Sequence, residues 1–94
     1  MERMDAAASS TIPTLYWRPG CGYCMRLRRK LHKAGVELNE INIWQDLAGA
    51  AEVRDITGGD ETVPTLVVAG EAMVNPSPRR ALQAIKQAIK QAEC

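Results

Sequence analysis

Apolar positions recur along this chain with changing period, and each change marks an element. Thr14-Leu15-Tyr16-Trp17 reads as a buried strand, stopped by Arg18-Pro19-Gly20. From Gly22 to Ala34 the period is helical. Cys24, Leu27, Leu31 and Ala34 share one face, while Arg26, Arg29, Lys30 and Lys33 lie mainly on the other. Gly35 suits the position just past that helix. Val36 to Ile43 alternates imperfectly, but its β-branched content favours a strand. Asp46 can cap a second helix running to about Thr57, which Gly58-Gly59 ends. Thr65 to Ala69 is a short apolar run whose Leu66-Val67-Val68 suggests a strand buried on both faces. Gly70-Glu71 reads as a hairpin turn into Ala72-Met73-Val74. Ser77 then caps a last helix with Pro78 at its first position. Leu82, Ile85, Ile89 and Ala92 are the expected apolar stripe of that helix.

The order is β-α-β-α-β-β-α. Alternating strands and helices predict a parallel pair joined by a right-handed crossover, and the closing hairpin adds antiparallel strands. The expectation is an α/β fold: a mixed four-stranded sheet with helices on both faces. Residues 1–11 read as a short polar lead and residues 12–94 as one domain. No repeat, linker or low-complexity segment interrupts them.

Composition refines this picture. Only 4% of residues are aromatic and none is Phe, so the core must be built from aliphatic side chains and Met. A net charge of +1 gives no bulk reason to expect nucleic acid or membrane as a partner. The lead carries Glu2, Arg3 and Asp5 without an apolar run, so it does not read as a signal peptide. No stretch is long enough to span a bilayer. The 3 cysteines are an odd number, which argues against a disulfide-stapled secreted scaffold. The expected compartment is the reducing cytoplasm, where a close cysteine pair is more often catalytic or metal-binding than structural.

That pair is Cys21-Gly22-Tyr23-Cys24, placed where the first strand gives way to the first helix. A helix N-terminus carries partial positive charge and free N–H groups, so a thiol there loses its proton easily. The thiolate is the nucleophile of thiol–disulfide exchange. The second cysteine, one turn on, can attack a mixed disulfide formed at the first. The competing reading is a buried inert pair or a stable disulfide. Zinc is not expected, because such a site needs about four ligands. His32 and Cys94 are the other candidates, and His32 lies about 12 Å along the helix from Cys24. Cys94 reads as a terminal thiol open to casual oxidation.

Other residues near the pair keep two readings each. Arg18 either raises positive potential beside Cys21 or is a solvated strand-end charge. Tyr23 either lines the thiol site or is a surface tyrosine. The basic face Arg26, Arg28, Arg29, Lys30 and Lys33 either steers acidic protein substrates or is a solvated helix face. Arg79 and Arg80 oppose the dipole of the last helix, which leaves room for an anionic partner there. Trp44 is expected to cover the sheet edge.

A strand, a Cys-x-x-Cys opening a helix, and Thr62-Val63-Pro64 before a later strand resemble the glutaredoxin and thioredoxin family. The resemblance runs from Ile12 to Ala92 and implies a thioredoxin fold of glutaredoxin type, with three helices flanking the sheet. Within it the chain looks like the mycoredoxin branch. Cys-Gly-Tyr-Cys is followed by Met25-Arg26-Leu27-Arg28, and Gly58-Gly59 stands before the proline. Val74-Asn75-Pro76-Ser77 follows the hairpin, where glutathione-using glutaredoxins carry a Gly-Gly pair and a nearby Asp. Trp17-Arg18-Pro19-Gly20 departs from that branch.

The resemblance implies an oxidoreductase with Cys21 as nucleophile and Cys24 as resolving thiol. It implies a cis Pro64 facing Cys21, with the backbone of Val63 free to pair with an incoming strand. Thr62, Tyr23, Arg18 and Ser77 complete the expected thiol-binding set. The implied co-substrate is mycothiol rather than glutathione. The implied partners are mycothiolated or disulfide-bonded proteins, acted on by a monomer with no bound cofactor. Two alternatives share the motif: a ribonucleotide-reductase-donor redoxin recharged by thioredoxin reductase, and an iron–sulfur carrier bridging two copies.

Overall fold

The computed structural model describes residues 12–93. The proposed lead, residues 1–11, and Cys94 lie outside the described residues. The elements are β1 (Thr14–Trp17), α1 (Gly22–Lys33), β2 (Asn39–Asn42), α2 (Leu47–Thr57), β3 (Thr65–Val68), β4 (Glu71–Val74) and α3 (Pro78–Glu93). The sheet order is β2-β1-β3-β4. β1 and β2 are parallel, with Leu15 opposite Glu40. β3 runs antiparallel to both β1 and β4. This is the expected mixed four-stranded sheet.

Successive strand residues point to opposite faces, and here both faces are covered. Leu15, Leu66 and Val68 pack with Leu27 and Leu31 of α1 and with Ala81, Ile85 and Ala88 of α3. Tyr16 turns the other way and packs with Ile43, Ala50 and Val53, joined by Ile41, Val63 and Val67. Burial on two faces is why the strands read as apolar runs instead of clean alternation. Across the first face, Arg28 and His32 both reach Glu40 at 2.6 Å and tie α1 to β2.

Local signals explain the ends. The Asp46 carboxylate accepts the Gly49 N–H at 2.9 Å, capping α2. Ser77 Oγ accepts the Arg80 N–H at 3.2 Å and caps α3. Gly49 lies under Ile41, where a Cβ would sit 2.6 Å from the Ile41 methyl, so only glycine lets α2 close on β2 at that point.

Four expectations need correction. β2 starts at Asn39 rather than Val36, because Val36 N–H still donates to Leu31 O at the end of α1. The ladder begins only when Asn39 N–H reaches Pro13 O. β3 ends at Val68. Ala69 (φ 50°) and Gly70 (φ 85°) make a two-residue turn with both residues left-handed, so β4 starts at Glu71. The α3 stripe is rotated: Ala81, Ile85 and Ala88 are buried, while Ile89 and Ala92 are exposed, as is Ala34 at the end of α1. Small alanines let α3 approach the sheet closely, and bulk alone is a poor guide to the buried face. Trp44 does not cover the sheet edge but is 63% exposed beyond the end of β2.

Candidate functional site

Cys21 is the N-cap residue of α1, with extended backbone (φ −94°, ψ 108°). Its sulfur accepts the Cys24 N–H at 3.2 Å. This N–H and the positive end of the helix dipole both point at that sulfur. Its thiol also donates to Val63 O over a long 3.8 Å. Both cysteines are free thiols. Cys21 is 6% exposed and Cys24 fully buried, so an incoming sulfur meets Cys21 first.

Cys24 is held as a neutral thiol. Burial pushes its pKa up to about 12, helped by its hydrogen bond to Cys21. The backbone and the positive charge of Arg18 pull in the opposite direction without overcoming burial. The pair is thus asymmetric: one sulfur at the helix end near the surface, one protonated in the interior.

The Val63–Pro64 peptide bond is cis. The Val63 carbonyl is engaged by the Cys21 thiol, so this part of its backbone is not free while Cys21 is protonated. The Thr62 carbonyl accepts the Thr65 hydroxyl at 2.8 Å, which fixes the loop before β3. Asn75, in left-handed backbone (φ 50°), donates its N–H to Pro64 O at 2.7 Å. That bond ties the turn after β4 to the turn before β3.

On this side a cleft of about 270 Å³ lies between Tyr23, Arg26 and Leu27 of α1 and Asn75, Pro76, Ser77 and Pro78 at the start of α3. The structure therefore brings together Cys21 with Cys24 and Val63, and Tyr23 with Ser77 across the cleft. Arg18 is not part of that cleft, and its guanidinium lies 5.7 Å from the Trp44 ring centre. Arg80 lines a separate groove between β4 and α3. The thiol-binding set expected from the sequence left out Arg26, Leu27, Asn75 and Pro76, although Val74-Asn75-Pro76-Ser77 stood out as the run that departs from glutathione-using glutaredoxins. Nothing local in that run tied Asn75 to Pro64. Among the described residues, no group of three or more His, Cys, Asp or Glu is placed to hold a metal ion. No helix among them is long and apolar enough to cross a membrane.

Such a site can accept a sulfur at Cys21 and pass the bond on to Cys24. The comparisons agree with that chemistry. The glutaredoxin family model matches residues 14–73. A protein of Mycobacterium tuberculosis named as a glutaredoxin, found alike in strains H37Rv and CDC 1551, is 39% identical over 71 residues, covering 74% of this chain and 81% of its own length. The glutaredoxin of Archaeoglobus fulgidus superposes with a TM-score of 0.69 at 19% identity, over 86% of this chain and 92% of that one. A buckwheat glutaredoxin solved in complex with glutathione gives 0.67 at 17% identity, over 96% and 88%. The two structures show the thioredoxin-like fold. With the family model and the mycobacterial relative beside the Cys21–Cys24 pair, the chain belongs to the glutaredoxin family of thiol–disulfide oxidoreductases.

Proposed function

We propose that the protein is a mycoredoxin, removing mycothiol from protein mixed disulfides. The Cys21 thiolate attacks the mycothiol sulfur. The protein thiolate leaves and takes up a proton, and mycothiol is now bonded to Cys21. A second mycothiol thiolate attacks that bond, regenerating Cys21 and leaving oxidised mycothiol disulfide. When the substrate is a protein disulfide, Cys21 bonds to one protein sulfur and releases the other. Cys24 then attacks Cys21, freeing the protein as a thiol and closing a Cys21–Cys24 disulfide. Its buried, protonated state keeps it out of the first step.

One observation carries the choice of thiol: of the four residues Asn75 to Pro78 that line the cleft, only Ser77 keeps an uncommitted backbone N–H. The Asn75 N–H is spent on Pro64 O. Pro76 and Pro78 have none. Glutathione carries carboxylates that need such donors, whereas mycothiol is a sugar-linked thiol without carboxylates, suited to a cleft lined by Tyr23, Asn75 and Ser77. Glutathione keeps two supporting features: Arg26 in the lining of the cleft, and Arg18, which has no carboxylate partner among the described residues.

The test presents the same protein cysteine blocked by mycothiol or by glutathione and follows release by the reduced enzyme. Release of mycothiol at least 10-fold faster in kcat/KM supports the reading. Equal rates, or faster glutathione release, overturn it.

A further inference from the structure

A second feature lies at the active-site end of the sheet, away from the thiol cleft. β1, β2 and β4 point the same way and β3 the opposite way, so the C-terminal ends of three strands and the start of β3 share one end. Read across the strand order, this end presents Trp44 after β2, Arg18 and Cys21 after β1, Pro64 before β3 and Asn75 after β4. The cleft occupies the β4 edge. Trp44 and Leu47 occupy the β2 edge, with the cysteines between.

Trp44 and Leu47 are 63% and 83% exposed, large apolar side chains that the β2–α2 connection and the first residue of α2 leave to solvent. Trp44 is not loosely placed. Its N–H donates to the Asn42 side chain at 2.9 Å, and the Ile43 N–H donates to Trp17 O at 2.9 Å. This holds the loop against the end of β1, where Arg18 lies over the indole face. Among the described residues Arg18 has no carboxylate partner; its guanidinium makes one weak bond to Pro19 O at 3.4 Å. Asp46, the acidic residue of this stretch, is committed to the Gly49 N–H. A cation propped on an aromatic face beside exposed Trp and Leu is the composition of a protein-recognition surface, enriched in Trp and Arg.

We infer that Arg18, Trp44 and Leu47 form a docking platform for the polypeptide part of the substrate, selecting an acidic and an apolar residue beside the blocked cysteine. Trp44 acts as a positioning residue for Arg18 and as an apolar contact in its own right. A bound substrate then straddles the site, with its small thiol in the Tyr23–Ser77 cleft and its chain across the β2 edge. The inference rests on exchange at Cys21 but not on which thiol fills the cleft.

The test uses two peptides with one cysteine each, blocked by mycothiol and, in parallel, by glutathione. One carries Glu and Leu beside the cysteine and the other Lys and Gly. Bis(2-hydroxyethyl) disulfide serves as a substrate without a peptide. Wild type should prefer the Glu/Leu peptide about 10-fold in kcat/KM, through KM. Trp44→Ala should raise KM for that peptide about 10-fold with kcat within 2-fold, Leu47→Ser about 3-fold, and Trp44→Phe should keep most of the preference. The rate on the small disulfide should stay within 2-fold. Equal KM for both peptides in wild type would overturn the platform. So would a loss in Trp44→Ala of the same size on peptide and small disulfide, which marks a structural role. A preference seen with both blocking groups, alongside faster glutathione release, would retain the platform and remove the mycothiol reading alone.

Discussion

Burial of Cys24 should make its thiol slow to react. An ordinary cysteine titrates near 9, whereas Cys24 is pushed up to about 12, first by burial and then by its hydrogen bond to Cys21. Three pH units correspond to about a thousandfold less thiolate at neutral pH, and only the thiolate alkylates. In a Cys21→Ser variant the contribution of the Cys21 sulfur is gone but burial remains, so Cys24 should react at least about 100-fold more slowly than a free peptide thiol. Iodoacetamide alkylation followed by intact mass at pH 7.5, before and after unfolding in urea, reads this directly. The folded variant should stay unmodified at Cys24 over a period in which the unfolded chain is fully labelled. The same shift has a stability consequence. A pKa raised in the folded state contributes stability that is complete below the unfolded value and is lost as pH rises through the folded one. The reduced protein should therefore weaken from about pH 9 towards pH 12. Folded-state labelling of Cys24 within 10-fold of the peptide thiol would refute the reasoning, since it would mean an accessible, readily ionised sulfur.

Two further outcomes follow from the same physics. Tyr16 is raised to about 12 by burial and then by its hydrogen bond to Glu52, so its phenol also contributes stability below pH 10 that is lost towards pH 12. Tyr16→Phe should cost about 1 kcal/mol in urea unfolding at pH 8, where the hydrogen bond is lost, and should flatten the alkaline fall. Curves that stay parallel from pH 8 to 11 would contradict this assignment. Gly49→Ala should destabilise despite a helix-propensity gain of about 1 kcal/mol, because its methyl would lie 2.6 Å from that of Ile41. Combining it with Ile41→Ala should remove the steric part of that loss, and a more stable Gly49→Ala single variant would show that the contact relaxes freely.

Much of the fold was legible because its signals are local. Thr14 to Trp17 is bounded by Arg18-Pro19-Gly20, Asp46 and Ser77 are caps with their acceptors in place, and Gly35 and Gly58 end helices in left-handed backbone. The cysteine pair was legible for the same reason, since its chemistry depends on four consecutive residues at a helix start. What escaped depends on distance in the chain. The bond from Asn75 to Pro64 joins two turns that no periodicity connects, and it builds the cleft that Arg26 and Leu27 complete. The buried face of α3 depends on how closely the helix meets the sheet. That favours Ala81 and Ala88 over the larger Ile89. Trp44 looked like a cover for an edge because an aromatic residue is usually buried, yet the β2–α2 loop turns it outward under Arg18.

In the proposed mechanism Cys21 alone takes the small thiol, with Cys24 held in reserve. The most direct measurement mixes reduced Cys24→Ser protein with one equivalent of a mycothiolated protein and maps the adduct by peptide mass spectrometry. Mycothiol should appear on Cys21, formed as fast as the partner thiol is released and cleared by added mycothiol, with no adduct and no release in Cys21→Ser. Release that persists without Cys21, or that requires Cys24 for the first transfer, would contradict the mechanism.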